Sequence, residues 1–308
     1  MKRFSIYFKT LAVAVMLLSV ACGSQQPTID YDKLTYPQLI EQAPAEQVQA
    51  WYDCASRIDE DEVAARGAEI KAQKKLLCFD LDGTLTNHKT PLTPENRVVL
   101  DKLMANPKYK VIMVGAGNAR RIYNQMGEYP IDIVANYGMQ EATVIDGVFT
   151  EIRNDQRQVD RDFFIKNSEI VRQRYGFTEY AGESIEFHPA GMVTLGLLGT
   201  EAKTEDKLVF DPDKAKRRAI YKDVCELFKG YAVFIGGSTS FDFTEMQYNK
   251  YDAVMNYAHR NGFTRDEILF IGDDFGDGGG DSHIRLGGMD YIHITDFTKL
   301  PERMEFLY

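Results

Sequence analysis

The apolar run Lys75-Leu76-Leu77-Cys78-Phe79 leads directly into Asp80-Leu81-Asp82-Gly83-Thr84, and no other segment restricts the possible folds as much. A buried-type strand that ends in acids must bring them out at the edge of a sheet. Carboxylates at i and i+2 of a strand point the same way, so Asp80 and Asp82 can address one reacting group. The chain then turns at Gly83, and Thr84 and the amides after it are placed to bind an anion. One carboxylate can ligate Mg²⁺ and attack phosphorus while its neighbour moves protons for the leaving oxygen. Asp-x-Asp alone also fits a calcium loop or a solvated turn; the preceding strand and the full Asp80–Thr86 run make the segment more specific.

From Lys75 onward, strands and helices alternate. Thr93-Pro94-Glu95 is an N-cap followed by proline at the first helical position, opening a helix to about Ala105. A strand is expected at Tyr109–Val114, a helix at Asn118–Met126 and a strand at Ile131–Ala135. This is the pattern of an α/β fold, a Rossmann-like core whose parallel sheet has helices on both faces. In such sheets the site lies beyond the carboxyl ends of the strands, where Asp80, Asp82 and Gly115 fall. The middle of the chain changes character. An Asp146-Gly147 turn joins two short strands. A helix follows at 160–175, then strands near 184–187 and 192–198, a helix from Asp211-Pro212 to Lys229, and strands at 231–235 and 240–244. Residues 141–246 therefore read as an inserted α+β cap domain with an antiparallel sheet, dividing a core of 74–140 and 247–308. The parallel pattern resumes with a helix from Lys250 and the strand Ile268–Gly272.

Residues 1–21 read as a signal peptide, because Lys2, Arg3 and Lys9 precede the apolar run Leu11–Val20. About ten helical residues cover roughly 15 Å, half the hydrocarbon thickness, so the run is too short for a permanent span. Ala21-Cys22-Gly23 is similar to a bacterial lipoprotein cleavage site with Cys22 lipidated, although Ser19 stands where leucine is usual. The expected location is outside the cytoplasm, lipid-anchored in a bacterial envelope on the periplasmic or surface side; a soluble secreted form and an uncleaved anchor are the alternatives. Residues 22–73 read as a tether followed by a helix from about Glu46, with Trp51, Ile58 and Val63 as a thin apolar stripe. The remaining cysteines, Cys54, Cys78 and Cys225, make neither a metal spacing nor a disulfide framework. A formal charge of −10 among 308 residues argues against nucleic acid as a partner, since phosphate-rich partners need a basic face.

Further chemistry-bearing pieces follow in order. Val111–Gly115 is a strand ending in glycine, where backbone can approach a phosphoryl group, and Asn118 opens the next helix. Lys250 opens a helix where one cation can neutralise phosphate and hold Asp80. Ile268–Asp274 is a strand with Asp273 at its end, and Asp277 and Asp281 flank Gly278-Gly279-Gly280. Acids from separate strand ends suit Mg²⁺, which prefers oxygen ligands.

These residues resemble the haloacid dehalogenase (HAD) superfamily. From Lys75 to about Phe306 the chain is similar to the eukaryotic-type phosphomannomutases and their type IIB cap relatives. Gly236–Asp242 resembles that family's GGxxSFD cap segment, Asn249-Lys250 its Asp-Lys pair, and Gly272-Asp273 through Gly278–Asp281 its GD…GGND loop. The resemblance implies Asp80 as nucleophile, Asp82 as acid–base and Lys250 as the phosphate-stabilising cation. It implies Mg²⁺ held by Asp80, Asp273, Asp281 and the Asp82 carbonyl. Gly115 and Asn118 would bind the substrate, with Ser240, Asp242, His188 and Lys207 reaching it from the cap.

The chain departs from that family where the family's cap carries EFRxGM…GR. Here Glu186-Phe187-His188-Pro189-Ala190-Gly191-Met192 ends at Gly199-Thr200, and Lys207 corresponds to a third arginine. A mutase working through a bisphosphate must hold a second phosphate, and neither Lys nor His reproduces an arginine fork. Losing two such contacts at ~1.5–3 kcal/mol each weakens that grip roughly a hundred- to ten-thousand-fold. Gly117 and Gly280 replace the serine and asparagine of GGSD and GGND. The expected function is an exported Mg²⁺-dependent phosphomonoester hydrolase for a small phosphorylated substrate, a sugar phosphate or similar polyol phosphate, acting through an aspartyl-phosphate. The alternatives are a phosphohexose mutase and a catalytically weak surface-anchored binding protein. The oligomeric state is not readable from the sequence.

Overall fold

A computed structural model describes residues 58–308. The leader at 1–21, Cys22, the tether, the start of the helix expected from Glu46, Trp51 and Cys54 lie outside the described residues. In chain order the elements are α1 (Glu60–Gln73), β1 (Leu76–Phe79), α2 (Pro94–Ala105), β2 (Lys110–Val114), α3 (Ala119–Gln125), β3 (Asp132–Ala135), β4 (Gln140–Ile145) and β5 (Val148–Asn154). They continue as α4 (Arg161–Tyr175), β6 (Ile185–Phe187), β7 (Val193–Gly196), α5 (Thr204–Phe210), α6 (Ala215–Leu227), β8 (Tyr231–Gly236) and β9 (Ser240–Glu245). The last are α7 (Lys250–Arg260), β10 (Ile268–Gly272), α8 (Ser282–Leu286), β11 (Tyr291–His293) and α9 (Leu300–Met304).

Seven strands form one sheet in the order β11-β10-β1-β2-β3-β4-β5. The first five are parallel, and β4 and β5 add an antiparallel edge. The hairpin β4–β5, expected to open the insert at residue 141, therefore extends the core sheet. Its turn is the expected one, with Asp146 at φ 53° and Gly147 at φ 77°. A turn and an alternation define a hairpin without saying which sheet edge it joins; here the pairing of Ala142 with Ile133 decides it.

The central strands are apolar on both faces because both are covered. Leu77, Phe79, Val111, Met113, Leu269 and Ile271 face α2, α3 and α9, through residues such as Leu100, Ile122 and Met304. Their neighbours Leu76, Cys78, Ile112, Val114, Ile268 and Phe270 face α7 and α8, through Tyr251, Val254 and Ile284. Helix α1 packs on the domain, with Ile70, Val63 and the preceding Ile58 joining the first of these cores.

The second sheet, β6-β7-β9-β8, is antiparallel throughout. Its strands alternate with period two. Val193, Leu195, Val233, Ile235, Phe241 and Phe243 pack beneath α4 and α6. Ala232 and Phe234 face the core domain with Tyr137 and Met139, and Phe234 stacks on Tyr137 with centroids 4.1 Å apart. The sequence reading has no helix at 204–210, and its single helix from Asp211 begins only at Ala215, after Lys214 takes a left-handed φ of 60°. Cys78 and Cys225 are free thiols.

Candidate active site

Parallel pairing brings the strand ends together. The Asp80 N–H donates to the Ile271 carbonyl at 2.8 Å, so β1 leaves the sheet beside the end of β10 that carries Asp273. Lys250 begins α7, whose N-cap Asn249 accepts the Asp252 N–H at 2.9 Å. That cap aims the buried Lys250 Nζ at Asp80 Oδ1 (2.5 Å) and Asp281 Oδ1 (2.7 Å). The other Asp281 oxygen accepts the N–H groups of Asp273 and Asp274, each at 3.1 Å. Asp281 thus ties the lysine to the loop after β10.

Oxygens of Asp80, Asp273 and Asp281 lie within 4.8 Å of one another. Burial pushes the Asp80 carboxyl up; Lys250 opposes the rise and Asp281 adds to it. Burial, then the charges of Asp80 and Asp281, push Asp273 up as well. One ammonium does not neutralise three crowded carboxylates, and the donor set is all hard oxygen, so the residues fit a divalent cation of the Mg²⁺ kind. Gly83 is part of the same fit. Its φ is +96°, and a Cβ there would lie 2.3 Å from Asp273 Oδ2.

Asp82 lines the same cleft, but its carboxylate is already engaged. Oδ1 accepts the Lys89 N–H and Gln125 Nε2, both at 2.7 Å, and Oδ2 accepts Arg121 Nη2 at 2.5 Å. Burial raises its pKa, but Gln125, the Lys89 amide and Arg121 together hold it below the usual carboxylate range.

The cleft encloses about 300 Å³ between core and cap. Of the residues named from sequence, Asp80, Asp82, Gly115, His188, Ser240, Asp242, Lys250, Asp273 and Asp281 line it together. The cap residues meet because of register. Thr194 on β7 pairs with Asp242 on β9; its Oγ1 donates to Asp242 Oδ1 at 2.8 Å and lies 3.0 Å from His188 Nε2. Phe241 and Phe243 go into the cap core, which turns Ser240 and Asp242 to the opposite side. Burial raises the pKa of the Asp242 carboxyl, although Thr194 and His188 oppose the rise.

Two expected residues are not among those lining the cleft. Lys207 lies on α5 with Nζ donating to the Thr200 carbonyl at 2.9 Å. Asn118 caps α3, accepting the Arg121 N–H at 2.8 Å. Asp277 is exposed and bonded to Arg285. Gly115 does line the cleft, but its own N–H is used by Val134, and a Cβ there would meet Ile122 Cδ1 at 2.7 Å.

Sequence reading missed Arg121, Lys214, His88 and Lys89, which line the cleft, and Arg217, which supports it. Arg121 and Gln125 stand four apart on the helix after β2, a spacing that puts both on one face and was readable. Lys214 reaches the cleft from a left-handed turn and pairs with Asp274 on the core, which no periodicity signals. Arg217 is fully buried. It donates to Asp211 Oδ2 (2.7 Å) and to the carbonyls of Gly236 (2.6 Å) and Ser240 (3.1 Å), fixing the β8–β9 turn that forms part of the cleft wall.

No protein-family profile matches the chain. It is 28% identical over 232 residues to a phosphomannomutase of Schizosaccharomyces pombe, covering 70% of this chain and 87% of that one. Over 234 residues it is 26% identical to phosphomannomutase 2 of Dictyostelium discoideum, covering 70% and 88%. The fold is similar to that of a Plasmodium falciparum IMP-nucleotidase, with a TM-score of 0.58 at 15% identity, covering 86% of this chain and 79% of that one. That last likeness is one of fold alone.

Proposed function

We propose that the chain is a capped enzyme of HAD type, a Mg²⁺-dependent phosphomonoester hydrolase acting on a small sugar or polyol phosphate; its similarity to phosphomannomutases over 70% of its length supports the first part of that reading. The observation that carries this reading is Lys250 bridging Asp80 and Asp281 beside Asp273, beneath a cap that, among the described residues, brings Lys214 but no arginine to the cleft wall.

Lys250 holds Asp80 Oδ1, leaving the second oxygen to attack phosphorus. The new bond is Asp80 O–P and the ester P–O bond breaks. Asp82, a carboxylate before substrate binds, must take up a solvent proton as substrate enters and then passes it to the leaving oxygen. Water then attacks the aspartyl-phosphate, giving its proton to Asp82 and restoring the Asp80 carboxylate. Lys250 offsets the charge gathering on the transferring phosphoryl group. Asp80 and Asp273, with Asp281 beside them, would hold Mg²⁺, which when bound supplies Lewis-acid polarisation of the phosphoryl oxygens. His188, Thr194, Ser240 and Asp242 offer the donor and acceptor set for substrate hydroxyls.

The test is phosphate release from a phosphomonoester panel with Mg²⁺ present. Release should fall at least ~10³-fold in Asp80→Asn, the order expected when a covalent nucleophile is removed. Equal release by wild type and variant, or none from either, would overturn the reading.

The names of the curated relatives favour a second reading, a phosphohexose mutase. It predicts interconversion of mannose 1- and 6-phosphate dependent on a bisphosphate activator, faster than hydrolysis. A binding protein on the same scaffold would show Gly117 and Gly280 as losses, and trapping aluminium fluoride at Asp80 would exclude it. The leader and Ala21-Cys22-Gly23 support export with lipid attachment at Cys22. Metabolic labelling with a fatty acid should mark the wild type and not Cys22→Ser.

A further inference from the structure

Of the cationic side chains that line the cleft among the described residues, Lys250, Lys214 and Arg121 make ion pairs there, and they are tied down differently. Lys250 is buried and shared between two buried carboxylates. Lys214 is largely buried against Asp274, which Arg218 also contacts at 3.2 Å. Arg121 is about 39% exposed and makes one ion pair, with Asp82 Oδ2 at 2.5 Å, plus a bond to Gln125 Oε1 at 3.1 Å. Asp82 does not depend on Arg121 alone, because Gln125 and the Lys89 amide hold its other oxygen.

Gly117 explains how the guanidinium lies there. A Cβ at that position would stand 2.9 Å from Arg121 Nη1 and 3.3 Å from Cζ. The arginine therefore occupies space that any side chain at 117 would contest. The departure at Gly117 and the position of Arg121 are one feature, in which a guanidinium lies against the bare backbone that follows β2.

We propose that Arg121 is the exchangeable anion contact of this site, pairing with Asp82 when no phosphate is present and with the phosphoryl oxygens of the substrate when one enters. The inference rests on the phosphohydrolase reading and adds a residue that reading does not use. A guanidinium presents parallel N–H groups that match two phosphoryl oxygens as well as a carboxylate. A dianion entering beside Asp82 offers it more charge than the carboxylate it leaves. The exchange also frees one oxygen of Asp82 while substrate is bound, which is when Asp82 must deal with the leaving oxygen. Arg121 is then a substrate contact, and Gly117 is the positioning residue that gives it room.

The experiment measures inorganic phosphate binding to the purified protein with Mg²⁺ present, by titration calorimetry, on wild type, Arg121→Gln, Arg121→Lys, Gly117→Ala and the Gly117→Ala/Arg121→Gln pair. Arg121→Gln should weaken phosphate binding about ten- to hundredfold, as expected for loss of a charge-assisted fork, and Arg121→Lys less. Gly117→Ala should weaken it in wild type and add nothing in the Arg121→Gln background. In turnover assays the arginine variants should raise KM more than they lower kcat. Phosphate affinity unchanged or improved in Arg121→Gln would overturn the proposal and make Arg121 a clamp on Asp82 only. So would additive losses in the pair, or no phosphate binding by the wild type. The hydrolase reading fails on a different result, the indifference of turnover to Asp80→Asn.

Discussion

Gly83 shows how little freedom single positions around the acids have. A side chain there must accept φ +96° and sit 2.3 Å from Asp273 Oδ2. The left-handed backbone alone costs ~1–2 kcal/mol, and the contact can be relieved only by moving Asp273. Gly83→Ala is therefore expected to raise the Mg²⁺ concentration giving half-maximal activity by about tenfold or more, the effect of ~1.4 kcal/mol on metal binding. A Mg²⁺ titration of turnover measures it, and an unchanged midpoint would show that Asp273 does not hold the ion. Aspartates were named from sequence because strand ends gather them. Arg121 was not named: its spacing from Gln125 placed the two on one helix face, but its pairing with Asp82 depends on where a long, flexible guanidinium comes to rest.

At the scale of elements, the cap builds its share of the cleft on a buried ion pair. Arg217 on α6 is fully buried with Asp211 and holds the turn between β8 and β9 by its carbonyls. Removing one member of such a pair leaves the other buried and uncompensated, so Arg217→Met should cost about 3–5 kcal/mol in urea unfolding. Burial opposes ionisation of Asp211, but Arg217 and the Lys216 and Arg217 amides outweigh it and hold its carboxyl below the usual range. Its contribution is thus present above the ordinary carboxylate pKa and lost as pH falls through the lower folded value. In Arg217→Met, that acid-dependent share of stability should shrink. The same elements show where sequence patterns stop. The alternation in β9 identifies Ser240 and Asp242 as one face, while the buried arginine beneath the turn looks like any helix-surface arginine until α6 is docked. The hairpin β4–β5 was legible as a hairpin, but its sheet was not, since both available sheets had an edge that an antiparallel pair could extend.

For the whole molecule, the acid cluster makes stability depend on pH in a way that the metal should cancel. Burial and mutual repulsion raise Asp80 and Asp273 in the folded state, Asp273 up to about 9. Without a divalent cation these two carboxyls bind more protons in the folded state than in the unfolded one, while burial pushes the His283 imidazole down to about 4 and lowers His88, so these bind fewer. Above the ordinary imidazole range the carboxyl contribution is the one left, and stability should fall as pH rises toward 9. Saturating Mg²⁺ should flatten that slope and add ~2.7 kcal/mol at a hundred times its dissociation constant. Thermal unfolding between pH 7 and 9, with EDTA and with Mg²⁺, checks both. A flat profile in EDTA would mean that the carboxylates are not crowded in solution.

What the chain carries openly is its periodicity and its strand-end acids. A buried strand needs a continuous apolar run, a cap strand needs alternation, and a hard-cation site needs oxygen donors, so all three leave marks in residue order. The α/β core, the antiparallel cap and the strand-end acids Asp80 and Asp273 were legible for that reason, while the grouping of Asp281 and Lys250 with them was what the family resemblance implied. Folding alone revealed which long side chains fill the space between the domains. Lys207 turns to Thr200 while Lys214 enters the cleft, and Arg121 closes on Asp82 over a glycine. Such choices rest on the rotamers of flexible cations and the docking of two separately formed sheets, quantities that no local pattern records.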